Sequence, residues 1–423
     1  MVPRRQILVT AFALFSLFFG AGNLVLPPYL GYQAAVDWPL VLAGFAISAV
    51  LIPIMAIFGH ARLQGSILDF ASKMGRPFAV VYAVIIYAIA ISLPSPRTAS
   101  VTYEMAIEPY FELSPVVLRT LYFGLVLVFV FNRSRILNII GKYLTPFILV
   151  ILFAIIVLGL MTPTTTNGLS IFEHPVSAGV LEGYQTFDAI GGIVVGGVIV
   201  VSLAIQGGLD YDQKRKVIAW AGILAGLGLV IIYGGLIAVA AHLRPVIETD
   251  NRSDLLLALS NLTLGNIGAS FLAVLVALAC FTTAVGVVAG TADFVRELFG
   301  GSQTAFRIMA VTGAVIGVLV GRFGVDYIID IAVPALMLTY PLSIVLIVLS
   351  VLPEKYNSKT IFMAVVLTTL LFTIPDFLQS VSSLQWIDRV DRLIPFSNNN
   401  LGWVIPSSVV LVLGNIIYRG SAV

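Results

Sequence analysis

Three stretches of this chain place residues suited to binding ions and charged groups inside otherwise apolar runs. The first is "LFFGAGNLVLPPYLG", Leu17 to Gly31, where Gly20-Ala21-Gly22-Asn23 and the pair Pro27-Pro28 interrupt a run that should wind as one helix. In lipid an unpaired backbone group costs several kcal/mol, so such a break is tolerated only where the bare backbone lines a polar cavity or finds other partners. Freed N–H groups then suit an anion and freed carbonyls a cation. The second stretch, "GYQTFDAIGGIVVGG", offers another break, with Asp188 beside Gly191 and Gly192. The third, "ALACFTTAVGVVAGTADF", sets the hydroxyls of Thr282 and Thr283 side by side. Adjacent helical side chains point about 100° apart. Either these hydroxyls bond back to carbonyls of the preceding turn, or they join carbonyls in an oxygen cage for a hard cation, which needs no carboxylate.

The remaining ionisable residues have plainer readings beside functional ones. Asp188 reads as an embedded ligand or as a helix N-cap at the start of its span. Asp330 sits inside a span or at its edge. Arg97, in "SLPSPRTASVTYE", reads as a cap on the outer end of its helix, with gating as the alternative.

The elements that must hold these groups are membrane helices. Of 423 residues, 59% are hydrophobic and only 10% charged, and the mean hydropathy is +1.04, which excludes a soluble globular domain. The expected fold class is an all-α integral membrane protein with the lipid bilayer as partner. Apolar stretches of spanning length fall near 7–31, 39–60, 78–100, 115–132, 141–161, 183–207, 217–241, 266–292, 305–321, 327–351, 360–375 and 401–418. That is about twelve transmembrane helices. The N-terminus starts like a signal peptide, but its apolar run is too long and lacks a small-residue cleavage site, so it reads as a retained span. "RSDLLLALSNL" reads as a short capping helix between spans seven and eight.

Sorting Lys and Arg onto alternate sides puts sixteen of 23 on one face, among them Arg4, Arg62, Arg133, Arg135, Lys142, Lys214 and Arg419. Seven, including Arg389 and Arg392, fall on the other, with acids such as Glu104, Glu182, Glu248 and Asp250. The positive-inside rule then makes both termini cytoplasmic. The formal charge of +2 gives no reason to expect a nucleic acid partner. A single cysteine, Cys280, excludes a disulfide framework. His60, His174 and His242 are expected at loop edges, so no nucleophile or metal set for an embedded enzyme emerges. A channel would need a continuous pore, usually built by symmetric subunits, and two unlike breaks in one long chain argue against it.

The two breaks fall in spans one and six. An inverted repeat of five helices would bring those spans together at the bilayer midplane. The corresponding division is 1–161 for spans one to five, 162–351 for spans six to ten, and 352–423 for two helices outside the core.

Taken together, "LFFGAGNLVLPPYLG", "LPSPRTASVTYEM", "GKYLTPFILV", "GYQTFDAIGGIVVG", "ACFTTAVGVVAG" and "IAVPALMLTYPLSIVLI" resemble the bacterial branched-chain amino acid:cation symporter family, within the amino acid-polyamine-organocation superfamily. The matches run in order from span one to span ten. The resemblance implies a five-plus-five inverted repeat of the leucine-transporter type in the bacterial inner membrane. It also implies uptake of leucine, isoleucine and valine driven by Na⁺, or by H⁺ in some members. By that resemblance the backbone of Ala21 and Gly22, with Asn23, receives the substrate carboxylate. The second wall is the span-six break from Phe187 through Asp188, Ala189, Ile190 and Gly191 to Gly192. A sodium ion would take the carbonyls of Ser16 and Phe19, with Ala279, Thr282 and Thr283 from span eight. Arg4 or Arg5 would pair with Asp293 or Glu297 at an inner gate. A transporter of the same fold for another neutral or aromatic amino acid is the alternative. No acid looks placed to receive a cationic substrate.

Overall fold

The structure, a computed structural model, describes residues 4–132, 145–164, 168–206, 208–247, 249, 251–381 and 394–420. Arg133, Arg135, Lys142, Glu248, Asp250, Arg389 and Arg392, used above for orientation, lie outside the described residues. Among those described the chain is all helical. Each of the twelve predicted stretches is helical over most of its described residues. Among the described residues eight helical stretches are long and apolar enough to cross a membrane, with three shorter apolar helices beside them.

The first predicted span is two helices, α1 (Arg4–Phe18) and α2 (Ala21–Ala34), meeting at Phe19 and Gly20. The helix therefore breaks at Gly20, the first of the expected residues, together with Phe19, whereas Ala21, Gly22 and Asn23 already wind as α2 and Pro27 and Pro28 do not end it: α2 runs through both and stays buried. Proline removes only its own N–H and its bond four residues back, so a helix already begun at Ala21 loses two bonds without ending. The second span is α3 (Trp38–Ala46) and α4 (Ile52–Leu63), joined by a π-helical stretch at Ile47–Leu51. The third is α5 (Arg76–Ser92) and α6 (Pro94–Thr102), and α7 (Pro115–Phe131) and α8 (Thr145–Met161) follow.

The sixth span is also double: α9 (Pro175–Tyr184) and α10 (Asp188–Gln206). Then come α11 (Tyr211–Leu243) and the long α12 (Arg252–Leu298). Asp210 caps α11, accepting from the Gln213 N–H at 2.7 Å, and Asn251 caps α12, accepting from the Ser253 N–H at 2.7 Å. The first part of α12 covers the expected capping segment and turns into the eighth span at Gly265, where φ is +68°. Glycine accepts that conformation without a Cβ clash. Beyond it lie α13 (Gln303–Val320), α14 (Val325–Val351), α15 (Lys359–Val381) and α16 (Val404–Gly420).

Glycines let main chains meet at two points that fix the broken spans. A Cβ on Gly44 of α3 would lie 1.9 Å from the Val176 carbonyl oxygen of α9, and one on Gly179 of α9 would lie 2.1 Å from that of Val41 of α3. The two helices thus cross backbone to backbone at reciprocal glycines. Likewise a Cβ on Gly31 of α2 would lie 2.1 Å from the Ile237 carbonyl of α11.

A polar cluster joins one end of the bundle. Arg252, at the start of α12, reaches Asp326 of α14 at 2.7 Å and Glu182 of α9 at 3.5 Å, and stacks over Tyr29 of α2 at 4.5 Å. Burial works against its charge, but Glu182 and Asp326 outweigh this and hold its pKa above the usual value. Glu104 accepts from the Ser253 hydroxyl at 2.8 Å and the Val325 N–H at 3.1 Å.

Candidate functional site

The two breaks meet, and Asn23 joins them. Its Oδ1 accepts the Gly20 N–H at 3.1 Å. Its Nδ2 donates to Asp188 Oδ2 at 2.6 Å and also to the Tyr233 hydroxyl. Tyr233, on α11, donates to the same Asp188 oxygen at 3.3 Å. One amide thereby closes the first span's break, reaches the sixth span's break and is held by the seventh. Asp188 is only 3% exposed, buried among the helices and not on the protein's surface. It opens α10, where the helix dipole favours its negative charge, and its N–H donates to the Thr186 hydroxyl at 3.2 Å.

The sixth span does not break where its glycines suggested. The non-helical residues are Gln185, Thr186 and Phe187, and Asp188 through Gly192 are already helical. Phe187 takes φ +62°, a conformation that costs an L-residue about 1 kcal/mol or more. The glycines instead serve packing: a Cβ on Gly183 would meet Ser48 Oγ at 2.0 Å, one on Gly192 the Ala56 Cβ and Pro53 carbonyl at 3.0 Å, and one on Gly196 the His60 ring at 2.2 Å. His60, in the last turn of α4 and so at a loop edge as expected, is fully buried, with Nε2 2.7 Å from the Ile193 carbonyl and Nδ1 3.1 Å from that of Gly65.

Between the breaks lies a cavity of about 50 Å³, space for a few waters at roughly 10–15 Å³ each. Of the residues expected to bind substrate, Ala21, Gly22, Asn23, Phe187, Asp188, Ile190 and Gly191 line it. Ala189 and Gly192 do not: the Ala189 N–H donates to the Tyr340 hydroxyl at 3.2 Å, and Gly192 packs on the second span. Leu17, Phe18, Ala90, Val194 and Val287 give the wall its apolar part. Asp188, expected in the second wall, is the acid in the lining.

Arg97 also lines this cavity, 2% exposed, instead of capping the outer end of its helix. Its guanidinium lies over the Phe187 ring at 5.3 Å. A Cβ on Gly22 would lie 2.3 Å from its Nη2, so the absence of a side chain at Gly22 makes room for it. The signal was available, since an arginine inside an apolar span marks a functional site by default. The flanking Pro94 and Pro96 read instead as a helix end, and α6 in fact begins there. Tyr233 carried no signal of its own in the sequence.

Thr283 sits against the first break. A Cβ on Gly20 would lie 2.9 Å from Thr283 Oγ1 and 3.1 Å from its Cγ2. Both hydroxyls donate to the Ala279 carbonyl, Thr282 at 2.9 Å and Thr283 at 3.2 Å, leaving their lone pairs free to accept. The Gly20 N–H bonds the Phe18 carbonyl at 2.9 Å instead of the Ser16 carbonyl four residues back, and the buried Ser16 hydroxyl has no partner. Asp293 bonds Arg296 on its own helix at 3.3 Å, whereas Arg4 lines a shallow apolar groove with Ile7, Leu8, Trp220 and Leu224. Among the described residues no group of three or more His, Cys, Asp or Glu gathers as for a transition metal.

Two solved transporter structures share this arrangement of helices. The crystal structure of MhsT in complex with L-phenylalanine superposes with a TM-score of 0.57 at 14% identity, over 98% of each chain. Mhp1, a nucleobase-cation-symport-1 family transporter with bromovinylhydantoin bound, gives 0.61 at 14% identity, over 98% of this chain and 92% of its own. The fold is therefore that of leucine-transporter-type membrane transporters. Among curated proteins, the branched-chain amino acid transport system 2 carrier protein of Pseudomonas aeruginosa is 32% identical, over 98% of this chain and 96% of that one. The branched-chain amino acid permease BrnQ of Bacillus subtilis is 30% identical, over 98% and 97%. These relatives are carriers and permeases, not enzymes. The family model for branched-chain amino acid transport proteins matches residues 3–421, and the chain, a multi-pass membrane protein, belongs to that family.

Proposed function

We propose that this protein is a secondary symporter of the bacterial inner membrane that imports leucine, isoleucine and valine together with Na⁺. The observation that carries the reading is the meeting of two broken helices around one cavity, with Asn23 bonded across both breaks. The cavity wall combines charge and helix ends with the apolar residues Ile190, Val194 and Val287. This suits a small zwitterion with an aliphatic tail. Selectivity among the three substrates should be modest, since one methylene in such a pocket is worth about 1–3 kcal/mol.

For the ion, the proposed ligands are the carbonyls of Ser16, Phe19 and Ala279 and the hydroxyls of Thr282 and Thr283. The released Ser16 carbonyl and the closeness of Thr283 to Gly20 support the assignment. An ion there would tie span one to span eight and fix the break in its binding geometry. Ion and substrate favour the same conformer, so each raises the other's affinity by one shared factor. We further propose that residues 1–161 and 162–351 are inverted repeats, with 352–423 outside the core and both termini cytoplasmic.

The test is leucine uptake by the purified protein in liposomes. Uptake should follow an inward Na⁺ gradient, and the Thr282→Ala, Thr283→Ala double variant should need far more Na⁺ while ranking leucine, isoleucine, valine and phenylalanine as before. Unchanged sodium dependence in the double variant would falsify the ion site. Uptake driven by a proton gradient alone would remove Na⁺ from the mechanism, and stronger competition by phenylalanine than by leucine would favour an aromatic substrate.

A further inference from the structure

We infer that Arg97 and Asp188 hold the two charged ends of the transported amino acid, the guanidinium taking the α-carboxylate and the Asp188 carboxylate the α-ammonium. The inference rests on the amino acid transport reading and assigns the residues that recognise the substrate's head.

Arg97 is a buried cation without the partners a buried cation needs. Its Nε and Nη1 are sealed from solvent with no hydrogen-bond acceptor. A guanidinium offers five donors in a planar fork and cannot neutralise itself, and leaving it desolvated and unpaired costs several kcal/mol. Its one ring contact, Phe187, offsets little of this. Asp188, the acid on the same cavity wall, does not complete it: among the described residues the two form no ion pair. Asp188 gives one oxygen, Oδ2, to Asn23 and Tyr233, and the Thr186 hydroxyl also lies beside its carboxylate.

The cavity lining thus includes a fork of donors and a carboxylate, each fixed by its own neighbours. Arg97 is wedged between Gly22 and the Phe187 ring, and Asp188 is clamped by the first and seventh spans. A carboxylate alone would satisfy only the first, and an amine only the second. An α-amino acid answers both, which is why the pair points to a zwitterion. The helix ends agree: α2 begins at Ala21 and Gly22, with Gly22 beside the guanidinium, and the first turn of a helix offers N–H groups that have no partner within the helix to the same carboxylate. Gly22 is then required less for backbone freedom than for space, because any side chain there would displace the arginine.

The experiment measures competition against labelled leucine on the purified full chain by three compounds: leucine, isopentylamine, which lacks the carboxylate, and 4-methylpentanoate, which lacks the ammonium. In the wild type only leucine should compete well. Arg97→Gln should weaken leucine about 10–100-fold, the loss of a charge-assisted hydrogen-bonded pair, while leaving isopentylamine unchanged, so that their ratio collapses. Asp188→Asn should collapse the ratio of leucine to 4-methylpentanoate in the same way, and Arg97→Lys should recover part of the loss. A merely structural role would weaken all three compounds together.

If the wild type binds none of leucine, isoleucine and valine, the transport reading itself fails. If it binds leucine but both folded variants keep the wild-type ratios, only the present assignment falls. Should the variants not fold, a leucine-bound structure of the wild type decides: a substrate carboxylate beyond hydrogen-bond reach of Arg97 overturns the proposal, and one paired with it supports it.

Discussion

Every polar atom of the Asn23 amide has a partner, and those partners belong to three different spans. Asn23→Ala would strip the Gly20 N–H of its side-chain acceptor and Asp188 of a buried donor. It should lower stability by about 1–3 kcal/mol, read as a fall in the thermal midpoint of the detergent-solubilised protein, and abolish leucine uptake. Gly20→Ala should act through Thr283, whose Oγ1 it would crowd. The expected result is a loss of sodium activation at a destabilisation of about 1–3 kcal/mol, and a titration of uptake against Na⁺ checks it. At this scale the sequence was uneven in what it disclosed. Gly20, Gly22 and Asn23 announce their break because two closely spaced glycines lead directly into a polar residue within an apolar run. Gln185-Thr186-Phe187 does not, because the residue that takes the left-handed conformation is a phenylalanine, and such strain is imposed by neighbours and not by its own type. Arg97 was visible as a residue and invisible as a site, since its depth depends on where α6 begins.

The helices were legible as elements because each is a run of apolar residues of spanning length, and a bilayer leaves the backbone no alternative to winding. Their interior joints were not. Glycines of the sixth span that looked like a second hinge, Gly192 and Gly196, lie in helix against Pro53, Ala56 and His60. A sequence records that a side chain is missing, without recording whether the gap serves φ or a neighbour. The crossing of α3 and α9 makes the second case testable. Gly44→Ala and Gly179→Ala each drive a methyl to about 2 Å from a main-chain oxygen, which no side-chain rotation relieves. Each should destabilise the protein by about 1–3 kcal/mol or more, whereas Gly191→Ala, with nothing within 4 Å of the added methyl, should leave the thermal midpoint nearly unchanged. Arg252 joins four elements at one end of the bundle. Arg252→Ala should leave Glu182 uncompensated and loosen that end, measured as faster hydrogen exchange at the start of α12.

For the molecule as a whole, the proposed linkage between ion and substrate makes a quantitative demand. Leucine must raise the apparent affinity for Na⁺ by the same factor by which Na⁺ raises that for leucine, and calorimetric titrations in either order should agree. The reciprocal contact of Gly44 with α9 and Gly179 with α3 bears on how alternation could occur. With no side chains between them, the two segments are interlocked like cogs and can neither slide nor roll independently, so they must travel as one lever. Any tilting of that lever falls on its two joints, the π-helical stretch Ile47–Leu51 and the short unwound Gln185, Thr186 and Phe187, the second of which carries one wall of the binding cavity. The gearing therefore delivers a movement at the membrane surface directly to the residues that would grip the cargo.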